Sequence, residues 1–263
     1  MRALCRDLYI WIGGGIRIFG KMKRGAALCG AALFLAAPVA AEIVSARYEG
    51  PTARYPHGVL GDDLEWERLV IGLSGGREVA AEWGRPVVFE DLAPRLWDMD
   101  GDRQAEIVTI ESHEDLGARM AFWSVEGDSL TPLAHLPWIG QRFRWLAPIG
   151  AADLDGDGFV EFAYIDRPHL ARTLRIWRYL PQEGGGVQLE EVTSVAGLTN
   201  HRIGEDFISG GLRDCGDGPE LVTANADWSR VMVTTLSSDG MAHTRDNGPF
   251  STSRLAEALA CGG

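Results

Sequence analysis

Lysine is absent from this chain beyond position 23. From residue 42 onward the cationic side chains are 19 arginines, set against 36 aspartates and glutamates, a net charge of −17. So acidic a body argues against nucleic acid and against anionic membrane surfaces as partners. Cysteine is nearly as scarce, with Cys215 and Cys261 alone in that stretch. Two cysteines do not make a metal site by themselves. Catalytic signatures are missing too: there is no Gly-x-Ser-x-Gly elbow, no His-Glu-x-x-His and no phosphate-cradling glycine loop. Carboxylate pairs for glycoside chemistry could be drawn from many of the acids, and without geometry they carry no signal. An enzyme is therefore the less favoured reading.

The N-terminal 41 residues read as a targeting segment. Met22-Lys23-Arg24 opens a short basic stretch, Gly25 to Ala37 is apolar and small, and Val39-Ala40-Ala41 precedes Glu42. This is the pattern of a secretory signal peptide with cleavage after Ala41, and Met22 is the expected true start. The apolar core is shorter than the roughly 20 residues of a membrane span. A membrane anchor built from Leu8–Phe19 plus that run is the alternative. A lipoprotein reading of Cys29 fails, because large Leu28 precedes it and the apolar segment follows it. The expected location is periplasmic or secreted, with no membrane association after cleavage. In an exported chain, an even cysteine count points to a disulfide between Cys215 and Cys261, two free thiols being the alternative.

What the chain has is a recurring acidic turn. Asp153-Leu154-Asp155-Gly156-Asp157-Gly158-Phe159-Val160-Glu161 places acids at positions 1, 3, 5 and 9, and the apolar run Phe162-Ala163-Tyr164-Ile165 follows. Alternate oxygens on a tightly turned loop can converge on one hard cation. Ca²⁺ takes six to eight oxygens at about 2.3–2.6 Å. Asp153, Asp155, Asp157 and Glu161 are the candidate side-chain ligands, and Phe159 the candidate backbone one. The pattern recurs 55 residues earlier as Asp98-Met99-Asp100-Gly101-Asp102-Arg103-Gln104-Ala105-Glu106, before Ile107-Val108-Thr109-Ile110. Here the candidates are Asp98, Asp100, Asp102, Gln104 and Glu106. Arg103 stands where the other loop has its second glycine, so a strained backbone and a nearby cation are expected to make this the weaker of two Ca²⁺ sites. A decayed copy runs from Asp214 to Glu220, with Arg213 and Cys215 at ligand positions, and no metal is expected there. A fainter one covers Asp62 to Arg68, keeping only the closing glutamate and the strand. An EF-hand is excluded, because that loop closes at position 12 between helices.

Four such starts are a repeat signature. The motif before a strand, at this interval, resembles the FG-GAP/VCBS-type repeats of integrin α-subunit propellers and many bacterial exported proteins. The resemblance covers most of residues 55–240. It implies an all-β fold: a small β-propeller with Ca²⁺ in loops between strands. The ligand roles it implies fall on the acids of the two intact loops.

Strands are expected over Glu106–Glu111, Arg119–Val125, Ser129–Leu136 and Arg142–Ile149. A second set covers Glu161–Ile165, Thr173–Tyr179, Val187–Val192 and Phe207–Leu212. Glu220–Ala224, Arg230–Thr235 and Met241–Thr244 give three more. Four strands make one blade, and the 222 residues from 42 to 263 suit a single domain of four blades. On this reading each acidic loop joins the last strand of one blade to the first of the next. Ala53–Leu60 completes the fourth blade and closes the ring, with the disulfide locking that seam. Ser253 to Ala260 is expected to be a short helix.

Eight tryptophans lie beyond residue 42. Packing between blades is favoured over a ligand-stacking surface, for which Trp138 and Trp228 are the better candidates. His57, Arg144, His201 and Arg202 form a candidate channel site. The expected function is a Ca²⁺-stabilised, monomeric binding module for a protein or glycan. The alternative is an extracytoplasmic enzyme acting on a substrate such as polysaccharide from the channel.

Overall fold

The structure is a computed structural model and describes residues 42–262. The expected signal peptide, its start at Met22 and its cleavage after Ala41 lie outside the described residues. The described residues form seventeen strands and one helix. The first group is β1 (Ile43–Thr52), β2 (Glu65–Leu73) and β3 (Arg77–Glu82), an antiparallel meander with β2 central. The second is β4 (Val87–Phe89), β5 (Arg95–Trp97), β6 (Glu106–His113), β7 (Gly117–Glu126) and β8 (Ser129–His135). β4 and β5 lie end to end along one side of β6, and β7 then β8 continue from the other. One residue pair, Trp66 with Phe89, links these groups into an eight-stranded sheet.

The third group is a four-stranded sheet of β9 (Leu146–Ala152), β10 (Val160–Asp166), β11 (Thr173–Pro181) and β12 (Val187–Ala196). The last holds β13 (Leu198–Thr199), β14 (Gly211–Asp214), β15 (Pro219–Asn225), β16 (Arg230–Leu236) and β17 (Ala242–Pro249). Helix α1 (Thr252–Leu259) ends the chain, capped by the Ser251 hydroxyl, which accepts the Arg254 N–H at 3.0 Å. Most of the expected strands are there, shifted at their ends; Ala53–Leu60 is not among them. The fold is nearly all β, as the resemblance implied.

The groups stack in chain order, because the strand following each acidic turn is apolar on both faces. Strands alternate side chains between faces. On β6, Ile107 joins a cluster with Leu69, Ile71 and Trp123, while Val108 and Ile110 point the other way to Phe122, Phe162 and Tyr164. On β10, Phe162 and Tyr164 face back while Ala163 and Ile165 face forward to Leu198 and Leu221. On β15, Leu221 faces back, and Val222 meets Leu255 and Ala258 of α1. Six of the eight tryptophans (Trp66, Trp83, Trp97, Trp123, Trp145 and Trp177) lie in or against these clusters, as the packing reading expects.

Three features differ from the expectation. The acidic loops do not join one group to the next. Each is the tip of a hairpin within one sheet, β5 with β6 and β9 with β10. A short turn favours antiparallel pairing of the strands that flank it, so Arg142–Ile149 and Phe207–Leu212 belong to the following group, as β9 and β14. Residues 53–64 are a connection rather than a strand, and β14 supplies the strand the last group lacked. The disulfide joins the chain just past α1 to the β14–β15 turn, the pairing expected, but with no strand from residues 53–60 in that sheet it staples the last group alone. The outer face of the first group instead carries ion pairs, Arg47 with Glu49 and Glu78 at 2.7 and 2.9 Å.

Candidate metal centre

Both intact turns fold the same way, for reasons local to their sequence. Asp98 accepts the N–H groups of Gly101 and Arg103, at 2.8 and 3.1 Å. Asp153 accepts those of Gly156, Asp157 and Gly158, at 2.8, 3.1 and 3.0 Å. The fourth position is left-handed in both, Gly101 at φ 79° and Gly156 at 80°. The sixth is left-handed too: Gly158 at 91°, and Arg103 at 72° where an L side chain is disfavoured.

The closing glutamate sits on the next strand and reaches back. Glu106 accepts the Met99 N–H at 2.7 Å, and Glu161 accepts that of Leu154 at 2.9 Å. Positions 1, 3 and 9 therefore converge. Carboxylate oxygens of Asp98, Asp100 and Glu106 lie within 4.8 Å of one another, as do those of Asp153, Asp155 and Glu161. Two clusters that could hold a metal ion thus lie on equivalent hairpins, and hard oxygen donors fit Ca²⁺. The fifth-position acids stand outside these triplets. Asp102 caps the Gln104 N–H at 2.7 Å, and Asp157 caps that of Phe159 at 2.9 Å.

The clusters differ in what faces them. Arg178, on β11 opposite Glu161, bonds Asp155 and Glu161 at 2.5 Å each and Asp157 at 3.0 Å. The corresponding place on β7 is Ser124, one step along the register from Ile107 opposite Trp123. Its hydroxyl is buried without a hydrogen-bond partner. Asp98, Asp100, Asp102 and Glu106 form no ion pair among the described residues, and Arg103 forms none either. Burial pushes the Glu106 carboxyl up to about 7, with Asp100 and Asp102 adding repulsion. Burial also raises Glu161, but there Arg178 opposes it. In the decayed last turn, Glu220 is held by Arg213 at 2.5 Å and Arg245 at 2.6 Å. Cys215 there is bonded to Cys261, with Cα atoms 5.5 Å apart. The expected disulfide is formed, and it suits an oxidising environment.

The candidate channel residues are brought together in part. His57 bonds buried Glu90, which also takes the Ser112 hydroxyl, and its ring stacks on Phe143 at 5.1 Å. Trp145 donates its indole N–H to the Glu90 carbonyl at 2.9 Å and meets the His201 ring edge-on at 5.0 Å. His201 bonds His169 at 2.9 Å and the Glu205 carbonyl at 2.9 Å. The two histidines thus flank the segment Phe143-Arg144-Trp145. Arg144 turns back onto the Phe143 carbonyl at 2.7 Å. Arg202 lies over Trp228, its guanidinium 3.9 Å from the ring centre. Trp138 likewise carries Arg119 on one face, 4.1 Å from the ring centre. Buried Glu90 and Ser112 and half-buried His169 complete this polar group, and no motif marked them. Their partners lie far away in sequence.

Among the described residues, no helix is long and apolar enough to cross a membrane. The chain matches no protein-family model and no curated protein.

Proposed function

We propose that this chain is an exported, calcium-stabilised binding module, built as a small four-bladed β-propeller of FG-GAP/VCBS-type repeats. One observation carries the reading: the same three-carboxylate convergence on equivalent hairpins of successive sheets. Such clusters repel themselves unless a cation joins them, so the metal's role is structural. The stacking of four strand groups in chain order supports blades. The disulfide supports an oxidising destination, and the strong acidity supports a protein or glycan partner over nucleic acid. The module is expected to act as a monomer. A groove of about 570 Å³ between β8 and β11–β12, lined by Pro132, Leu136, Pro137, Trp177 and Leu189, offers a contact surface.

Calorimetric titration with Ca²⁺, paired with thermal melting before and after chelation, tests this. Binding at micromolar affinity or better, and a melting temperature lowered by chelator and restored by Ca²⁺, are expected. A melting temperature indifferent to both would refute the structural-metal role.

The His57–Glu90–Ser112 group favours a second reading, an extracytoplasmic hydrolase. A hydrolytic activity against polysaccharide abolished by His57→Ala in a folded protein would establish it. A wild type without activity would reject the hydrolase, and activity that persists in that variant would reject this group as its site.

A further inference from the structure

The two acidic loops share the same turn and the same four acidic positions; apart from residues within the loop such as Arg103 for Gly158, they differ in the side chain that faces the acids from the next strand. In the 153–161 loop a guanidinium already sits among the carboxylates: Arg178 contacts Asp155, Asp157 and Glu161 from the adjacent strand. Register places it there, since Arg178 stands directly opposite Glu161. In the last loop two arginines, Arg213 and Arg245, occupy the same role against Glu220. The 98–106 loop is the exception. The partner of Glu106 in the register is Ser124, and among the described residues the loop's acids form no ion pair.

We infer that Arg178 is a built-in counter-ion which competes with a divalent cation for the 153–161 loop, so that Ca²⁺ loads first on the 98–106 loop. This rests on the calcium reading above and reverses the order of strength that the Arg103 substitution suggests from sequence. Arg103 takes the left-handed conformation the turn needs and, among the described residues, forms no ion pair with the cluster's acids. Arg178 must leave three carboxylates before a metal can take them. Its side chain is about one-fifth exposed (22%) on a long flexible stem, so it has somewhere to go. The 153–161 loop therefore has two states, arginine in or metal in, and calcium concentration selects between them.

The test is Ca²⁺ calorimetry on the chelator-treated protein, its Arg178→Gln, Arg178→Lys and Asp100→Asn variants, with circular dichroism checking each fold. The wild type is expected to bind one equivalent tightly and a second about tenfold or more weakly, the cost of giving up three partly screened ion pairs. Arg178→Gln should bring the second equivalent up to the first, and Arg178→Lys should do so less. Asp100→Asn should remove the tight equivalent. Two equal sites in the wild type, or a tight site untouched by Asp100→Asn, would overturn the inference while leaving the calcium reading intact. So would a second site unmoved by Arg178→Gln. If Arg178→Gln is unfolded without metal, folding on addition of Ca²⁺ supports the inference and failure to fold counts against it. Absence of binding in every variant would bring down the calcium reading and this inference with it.

Discussion

Glu106 reaches seven residues back along the chain to accept the backbone N–H of Met99, at 2.7 Å, and the bond is buried. One oxygen thus braces the turn while the rest of the carboxylate belongs to the acidic cluster. The two roles separate by substitution. Glu106→Gln keeps an acceptor for Met99 and removes the charge. It is expected to cost little stability in chelator and to lose most of the stabilisation by Ca²⁺. Glu106→Ala leaves a buried N–H without a partner, a loss of about 1–3 kcal/mol that persists in chelator. Urea unfolding with and without Ca²⁺ distinguishes the two. Equal loss in both variants without metal would show that the brace contributes nothing.

The pair His169–His201 makes the protein sensitive to acid. His201 gives its Nε2–H to the Glu205 carbonyl, which leaves Nδ1 to accept from His169. Both rings are then neutral, and burial holds both below the ordinary histidine range, His169 down to about 4. The unfolded chain takes up protons near pH 6.5 while the native one does not. Stability is therefore full above about pH 6.5 and falls as pH drops toward 4. Since His169 is partly solvated, the loss is about 1–2 kcal/mol rather than the full value of its shift. Unfolding in chelator at pH 7.5 and 5.0 measures it. His169→Gln should flatten the difference, and an unchanged slope would refute the assignment.

Glu65 predicts the opposite trend. It is buried beside Glu90, Asp62 and Asp91, and burial first, then their repulsion, pushes it up to about 10. A raised native value means the stabilising contribution is complete below about pH 4.5 and is lost as pH climbs through the native value. Glu65→Gln removes that cost. The variant should equal the wild type near pH 4 and exceed it by at least about 1 kcal/mol at pH 8. A destabilised variant at pH 8 would mean the carboxylate is ionised and paired.

Legibility from sequence divides along range of interaction. The strands were readable because Gly117, Gly127 and Gly140 punctuate alternating or apolar runs. The turn geometry was readable because Asp at position 1 and Gly at position 4 act within five residues. Which strand pairs with which was not: Arg142–Ile149 and Phe207–Leu212, expected to close one group, each open the next, as β9 and β14, and their apolar patterns suit either neighbour. The occupant of the 153–161 cluster was also hidden. Arg178 is only one of several arginines until the β10–β11 register sets it opposite Glu161. The His57–Glu90–Ser112 group was out of reach for the same reason, its contacts spanning 33 and 22 residues.

Cys215 and Cys261 close a loop of 46 residues of sequence separation, and that loop holds β15, β16, β17 and α1. The covered face of β15 and β16 depends on the helix: Val222 of β15 and Val231 and Val233 of β16 are buried against Leu255 and Ala258. An eight-residue helix is marginal alone, so its docking relies on that apolar contact and on the tether at its end. Arg213 adds a third tie by donating to the Ala258 carbonyl. In the chain-entropy account, a closure of this length stabilises by about 4 kcal/mol, with about 2–4 more typical in practice. Replacing both cysteines by serine should therefore lower stability by about 2–4 kcal/mol. Hydrogen exchange should show α1 and β14 opening first, while β6 and β10 stay protected. Uniform loss of protection across all the sheets would show instead that the tether supports the whole stack and not its last layer.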